Sequence, residues 1–352
     1  MHYKDFFNKA HYNNQEIFNK KLNWFFDIKN CIYSNFKKEK VEKDAKQLIG
    51  EFKSLKNKKI NKKKIYIKTK KINFKKFLKP NNKKFNTKVI KSLNYLKKNN
   101  MKYFFKYFLI QGSFATSDYV ENWSDFDTFV VIKKEIFKSS QHLIKLRKVL
   151  KSYYKLVIKF SNFQHHGLII YTEYDLNNYR IGFLPTEALK GKNLNLLNSE
   201  KIKFQKQMNK NKSLSRNILL ERGKYITKGI KNKYYDHHVF GKKKLSIPLM
   251  ENEKTLKQLF SQISFILNIP ILVLDCLNKS SHKKSSFSKF YKICTNAKIN
   301  EFIKKHEYLR KNWNEYSKSK NYISKDLKIF LGEDYFKECL KTINYCTKFL
   351  IN

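Results

Sequence analysis

The sequence predicts an α+β protein, in which a small mixed sheet is flanked by helices. Apolar runs at 108–110 and 128–132, each bounded by polar or turn residues, predict two neighbouring strands. Apolar residues at helical spacing predict helices at 87–106 and 134–154. Strand and helix patterns that alternate in this way predict helices packed on a sheet.

The rest of the chain divides around this central part. Residues 1–86 read as a helical N-terminal extension ending in a Lys-rich linker, and 87–198 as the sheet-containing domain. Residues 199–352 read as an all-helical C-terminal domain, with its apolar stretch at 259–277 a buried helix broken near Pro270.

Polar residues between the two predicted strands suggest a binding site. Gly112 and Ser113 follow the first strand, while Asp125 and Asp127 open the second and share one face, with Phe126 directed into the core. Two neighbouring carboxylates repel each other unless a cation lies between them, and Mg²⁺ prefers oxygen ligands. Gly112 allows close backbone approach, and Ser113 adds a hydroxyl and an N–H at a predicted helix start. The alternative is a surface hairpin with two solvated aspartates.

This arrangement resembles the signature of the polymerase-β-type nucleotidyltransferase superfamily, sharply over 108–133 and weakly to about 189. The resemblance implies a nucleotidyltransferase-type sheet and one or two Mg²⁺ ions held by Asp125 and Asp127. It also implies a nucleoside triphosphate, ATP in the first instance, with its phosphates over Gly112 and Ser113. A nucleoside monophosphate would pass to an acceptor hydroxyl, and pyrophosphate would leave.

The acceptor stays open, because fold does not fix substrate. A catalytic domain beside a helical bundle resembles nucleotidyltransferases of the aminoglycoside-modifying kind, which makes a small-molecule acceptor the first expectation. An RNA or tRNA end is the second, suggested by charge. The third is a non-catalytic nucleotide-binding or toxin–antitoxin-type protein on the same fold.

The resemblance also implies a third acidic residue on a neighbouring strand, where this chain has His165 and His166. His166 is the first choice as metal ligand or general base, because imidazole binds metals and titrates near neutral pH. Glu173 and Asp175 are the carboxylate alternatives, and a structural His pair explains the same residues equally well. The sequence Asp236-His237-His238 is a candidate acceptor-side contact or a polar loop.

The formal net charge of +48 would attract nucleic acid or an anionic membrane. Most of it comes from Lys, whereas Arg is favoured for phosphate recognition, so a nucleic-acid partner is possible but composition alone does not require one. The densest Lys run, within 53–88, is predicted as a mobile linker. The sharper alternative is a basic arm whose interleaved aromatics, Tyr66 among them, contact a nucleic-acid backbone.

Cysteine usage and hydropathy predict a cytoplasmic protein with reduced thiols. The five Cys form no CxxC pair, which argues against a zinc or disulfide framework. The N-terminus lacks the apolar core of a signal peptide, and no apolar run has the length of a membrane span.

Overall fold

A computed structural model describes residues 14–26, 37–56, 61–71, 83–115, 120, 123–157, 168–180, 183–184, 186–189, 193–197, 200–208, 213–232, 234–238, 244–248, 263–264, 266–279, 283–317 and 333–350. The helices are α1 (Asn14–Phe25), α2 (Lys38–Ser54), α3 (Lys83–Lys98), α4 (Met101–Phe104), α5 (Ser140–Val157), α6 (Glu173–Asn177), α7 (Ser213–Asn232), α8 (Ile269–Cys276), α9 (Lys283–Ile293), α10 (Ala297–Lys311), α11 (Trp313–Ser317) and α12 (Glu333–Phe349). The strands are β1 (Lys62–Lys68), β2 (Lys70–Lys71), β3 (Phe105–Ile110), β4 (Thr128–Ile132), β5 (Leu168–Thr172), β6 (Leu194–Asn195), β7 (Lys201–Gln207), β8 (Tyr234–His238) and β9 (Lys244–Pro248). Within this described part of the chain, no helix has both the length and the apolar character needed to cross a bilayer.

Five strands form a mixed sheet in the order β2-β6-β3-β4-β5. β3 runs antiparallel to β4, with Ile110 opposite Thr128, and β4 runs parallel to β5, with Thr128 opposite Leu168. Every residue of β4 is buried, as expected for a strand covered on both faces. The predicted α+β class and the strands around 108–110 and 128–132 are confirmed.

Helices α1 to α5 contribute to the core on one face of this sheet. Alternate strand residues, among them Phe108, Ile110 and Val130, lie in one apolar core with the helical residues. Phe18 of α1 and Leu48 of α2 belong to the same core, so the predicted N-terminal helices form an additional layer.

A two-stranded antiparallel ribbon of β1 and β7 packs on the other face. Ile67, Ile202 and Phe204 are buried there, and the ring centroids of Phe204 and Phe129 of β4 lie 6.2 Å apart. The mobile-linker prediction is therefore wrong for residues 62–68. Ile65 and Ile67 alternate with outward residues at strand spacing, and the apolar side of β7 covers them.

The C-terminal helices α7 to α12 surround a second core, which includes Leu219, Val273 and Ile343. α8 begins at Ile269 with Pro270 in its first turn, in agreement with the predicted break. The prediction that 199–352 is all-helical is wrong, because β7 belongs to the ribbon and β8 pairs with β9 in an antiparallel hairpin. In β7 the buried residues recur every second position, a strand period that a helical window obscures.

A buried ion pair joins the ribbon to the C-terminal helices. The Nζ atom of Lys206 on β7 lies 3.2 Å from Oδ1 of Asp275 on α8, with side chains 7% and 6% exposed. Removing one partner of such a pair leaves a charge without compensation in a region of low dielectric.

Replacing Lys206 by Met should therefore lower the free energy of unfolding by about 3–5 kcal/mol, measured by urea denaturation. The matched control is Lys224→Met, whose partner Glu221 is as exposed as Lys224 itself, and the change there should stay within about 0.5 kcal/mol. Equal effects of the two substitutions would show that the buried pair has no special structural role.

His306 on α10 gives the second core a pH dependence. Burial lowers its pKa from 6.5 to about 4, although the carbonyl of Phe302, 2.7 Å from Nδ1, acts in the opposite direction. With Nδ1 donating to that carbonyl, Nε2 accepts from the Tyr335 hydroxyl at 3.0 Å. The unfolded chain thus binds a proton between pH 6.5 and about 4 that the folded chain does not.

This His contributes stability above pH 6.5 that is lost as the pH falls towards 4, by up to about 3 kcal/mol. Urea unfolding at several pH values should show that His306→Gln removes this part of the slope, whatever its effect at pH 7. Parallel stability curves for the two proteins would contradict the assignment.

Candidate active site

The site begins at the turn that follows β3. Gly112–Phe114 form a single 3₁₀ turn, closed by the Ala115 N–H donating to the Gly112 carbonyl at 3.1 Å. The Gln111 N–H donates to the Asp127 carbonyl, also at 3.1 Å. Because Ile110 pairs with Thr128, this register brings the turn beside the residues that precede β4.

Gly112 lies against the carboxylate of Asp127. Its φ is +69°, and a Cβ added there would be 2.9 Å from Oδ2 of Asp127. An L side chain is disfavoured at this φ and would press on the carboxylate. The glycine is therefore what lets an acidic group approach the turn so closely.

Asp125, Phe126 and Asp127 lie just before β4, not within it as predicted. Their burial nevertheless alternates as expected: Phe126 is fully buried, and the two aspartates are partly exposed. The Phe126 ring packs edge-on against Phe114, with centroids 5.1 Å apart, which fixes the acidic segment to the turn. Oδ2 of Asp125 is shielded from solvent.

The loop leading into Asp125 is anchored on the C-terminal helices. Trp123 packs edge-on against Trp313 of α11 at 5.0 Å between centroids, and it belongs to the second core. Ser124 closes a turn with Val120, its Oγ accepting from the Val120 N–H at 2.9 Å. The sequence analysis did not identify Trp123 as a contact with the C-terminal helices. A Trp in an otherwise polar loop is the sequence feature that could have indicated it.

Glu173 does not belong to this site, which corrects its prediction as a carboxylate alternative. It follows Thr172, which pairs with Ile132 at the far end of β4, about 17 Å along the strand from Asp127. There it forms an ion pair with Lys106 and accepts from the Lys134 N–H at 3.0 Å. Burial raises the pKa of Glu173, but these hydrogen bonds outweigh it and leave the pKa below its ordinary value.

Asp175 is also a structural residue, not a site carboxylate. It forms a capping box with Thr172 at the start of α6: its Oδ2 accepts from the Thr172 N–H and hydroxyl, both at 2.8 Å. Its Oδ1 accepts from the amides of Gln15 and Asn19 on α1, at 3.1 and 3.0 Å. The carboxylate thus joins the N-terminal helix to the sheet.

The remaining predicted residues are described in part or not at all. His165 and His166 lie outside the described residues, shortly before Leu168, which is opposite Thr128 at the site end of the sheet. Asp236, His237 and His238 lie on β8, so the polar-loop alternative is wrong for them. The side chains of β8 lie outside the described part of the structure.

The Asp127 carboxylate beside the glycine turn, with the Asp125 carboxylate two residues before it, suits a hard divalent cation in donor chemistry. The Asp127 oxygen reaches the turn and Asp125 precedes it by two residues, so the same ion could meet both an acid and a phosphate bound at the turn. Within the described ranges, no group of three or more His, Cys, Asp or Glu side chains is placed to hold a metal. The residues therefore fit a partial metal site that needs a further ligand.

No protein-family model, curated protein or solved structure matches the chain.

Replacing Gly112 by Ala should lower the free energy of unfolding by about 1–2 kcal/mol, because of the strained φ, and should displace the Asp127 carboxylate. Gly50→Ala is the matched control. Nothing lies within 4 Å of its Cβ position on α2, and helix propensity there should raise stability by about 0.5–1 kcal/mol. Thermal unfolding compares the two, and a neutral Gly112→Ala would show that the turn tolerates a side chain.

Proposed function

We propose that this protein is a Mg²⁺-dependent nucleotidyltransferase that moves a nucleoside monophosphate from a nucleoside triphosphate, ATP in the first instance, to a hydroxyl of a small-molecule acceptor. The observation that supports it most is the contact between Gly112 and the Asp127 carboxylate at one end of β3 and β4. A triphosphate and its counter-ion need this combination of an open backbone turn and an adjacent acid.

The turn would bind the triphosphate. Gly112 presents no side chain, so a phosphate can approach the backbone, and Ser113 adds a hydroxyl beside it. The 3₁₀ turn is too short for a substantial helix dipole. Phosphate binding would therefore depend on individual N–H groups and on the Ser113 hydroxyl, and not on the helix start that the sequence predicted.

Asp125 and Asp127 would hold Mg²⁺, which when bound neutralises phosphate charge and favours ionisation of the acceptor hydroxyl. A bond forms between the acceptor oxygen and the α-phosphorus, and the bond from that phosphorus to the bridging oxygen breaks, releasing pyrophosphate. The hydroxyl proton passes to a base, for which His166 is the remaining candidate. What these residues contribute is positioning and electrostatic stabilisation.

An RNA end is the second candidate acceptor, and one structural observation favours it. The β1–β7 ribbon presents exposed lysines around the half-exposed Tyr66. A polynucleotide acceptor would use such a surface, whereas a small molecule would not need it.

Neutralising either site aspartate should abolish transfer without unfolding the protein. Asp125→Asn and Asp127→Asn should each lower Mg²⁺-dependent pyrophosphate release from ATP by about 10³-fold or more, since charge stabilisation is lost. The assay runs against a panel of hydroxyl acceptors, with aminoglycosides and RNA 3′ ends included.

Glu173→Gln is the matched control, because it removes a carboxylate that lies at the far end of β4 and should leave turnover unchanged. Full turnover in the Asp127→Asn protein would refute the metal assignment. Nucleotide binding with no turnover on any acceptor would favour the non-catalytic alternative.

A further inference from the structure

The β1–β7 ribbon has two unlike faces. Residues directly opposite each other in an antiparallel pair lie on the same face, and successive residues alternate. Ile67 opposite Ile202, and Ile65 opposite Phe204, form the face that packs on the central sheet. The other face points away from the core.

Four opposed pairs make up this outer face: Lys62 and Gln207 form the end pair, and six residues form the other three pairs. They are Lys64 with Gln205, Tyr66 with Lys203, and Lys68 with Lys201. The four lysines of these three pairs are exposed. The outer face therefore carries four lysine side chains around the ring of Tyr66.

Acidic partners for the lysines of this face are absent from the described part of the chain. Among the described residues, no carboxylate forms an ion pair with Lys64, Lys68, Lys201 or Lys203. Glu200 is the nearest acid in the sequence, but its carboxyl is hydrogen-bonded to Asn195 of β6. Two other lysines of the ribbon have polar partners: Lys206 pairs with Asp275, and Lys62 donates to Asn178 Oδ1 at 2.8 Å.

Tyr66 exposes 49% of its surface on this face, and Nζ of Lys201 lies 4.6 Å from its ring centroid. Such a cation–π contact contributes only about 0.5–1 kcal/mol at an exposed site, so it orients the ring without burying it. An accessible aromatic ring among exposed lysines is an arrangement that binds single strands, because bases stack on the ring while lysines contact the phosphates.

We propose that this outer face binds single-stranded nucleic acid, with Lys64, Lys68, Lys201 and Lys203 contacting phosphates and Tyr66 stacking against a base. An anionic membrane is the less fitting partner, because Tyr66 is the only apolar side chain among the six residues and could not anchor the ribbon in a bilayer. The inference depends on the ribbon alone and not on the proposed transfer reaction.

Fluorescence anisotropy of the full chain with a labelled oligouridylate, across a KCl series, tests the lysines. Lys64→Gln/Lys68→Gln should weaken binding roughly tenfold and reduce the slope of log affinity against log salt by about 1.4, at about 0.7 per phosphate contact. The matched control is Lys145→Gln/Lys148→Gln on α5, which removes two exposed charges of the same kind and should change both quantities little. Equal effects of the two pairs would overturn the proposal in favour of bulk charge.

Tyr66→Ala tests the stacking contact and should weaken binding about 5- to 100-fold with little change in salt slope, whereas Tyr66→Phe should bind as the wild type does. Tyr308→Ala, at a tyrosine 60% exposed on α10, is its control and should bind normally. Circular dichroism verifies that each variant is folded. Retained affinity in a folded Tyr66→Ala protein would refute the stacking role.

Two further arms separate this proposal from its rivals. Phosphatidylserine vesicles should bind the ribbon variants as well as they bind the wild type, and a loss confined to vesicles would overturn the proposal in favour of a membrane. Asp127→Asn should bind the oligouridylate normally, which keeps a failure of transfer distinct from a failure of binding.

Discussion

The close approach of the Gly112 backbone to the Asp127 carboxylate is the constraint on which the rest of the site depends. It requires the positive φ of Gly112, the antiparallel register that places Ile110 opposite Thr128, and a buried Phe126 that prevents the acidic segment from turning outward. Each condition is met by packing, because the five residues of β4 are buried between the helical core on one face of the sheet and the β1–β7 ribbon on the other. The fold therefore fixes the position of an acidic group that would otherwise be a mobile surface side chain.

The two cores meet the site from different sides. Phe126 and Phe114 connect it to the helices that cover the sheet, while Trp123 connects it to α11 in the C-terminal region. The buried ion pair between Lys206 and Asp275 also connects the ribbon to the C-terminal region. A buried ion pair is weak evidence for net stability, but it penalises every arrangement that separates its partners. The ion pair therefore specifies how the ribbon is placed relative to α8. The contact between Trp123 and Trp313 likewise specifies where the loop before Asp125 lies.

The parts of this structure that could be predicted from sequence are those with local signals. The apolar runs of β3 and β4, the glycine turn and the inward Phe126 each follow from a few consecutive residues. The ribbon could not be predicted in the same way, because β1 acquires its apolar cover from β7, far along the chain, and its lysines resemble a linker. Glu173 and Asp175 were misplaced for another reason. The third acidic residue was expected on a strand, whereas the Thr172–Asp175 capping box ends β5 and begins α6.

Charge compensation separates the basic residues of this chain into two groups. With 76 basic and 28 acidic residues, most cations cannot have an acidic partner. Asp275, Glu173 and Glu16 are the acidic partners of Lys206, Lys106 and Arg180 at buried or half-buried positions. Other described ion pairs, such as Lys224 with Glu221, are exposed. Desolvation explains the pairs at buried and half-buried positions, because an unpaired charge is tolerated only where water solvates it. Lys64, Lys68, Lys201 and Lys203 belong to the second group. Solvation alone would explain why any one of these lysines is unpaired, but it does not explain why four of them surround an exposed tyrosine on one face. The strand pairing holds these like charges close together, so they repel each other. A bound polyanion relieves that repulsion, and in doing so it would turn an unfavourable surface into a favourable interface.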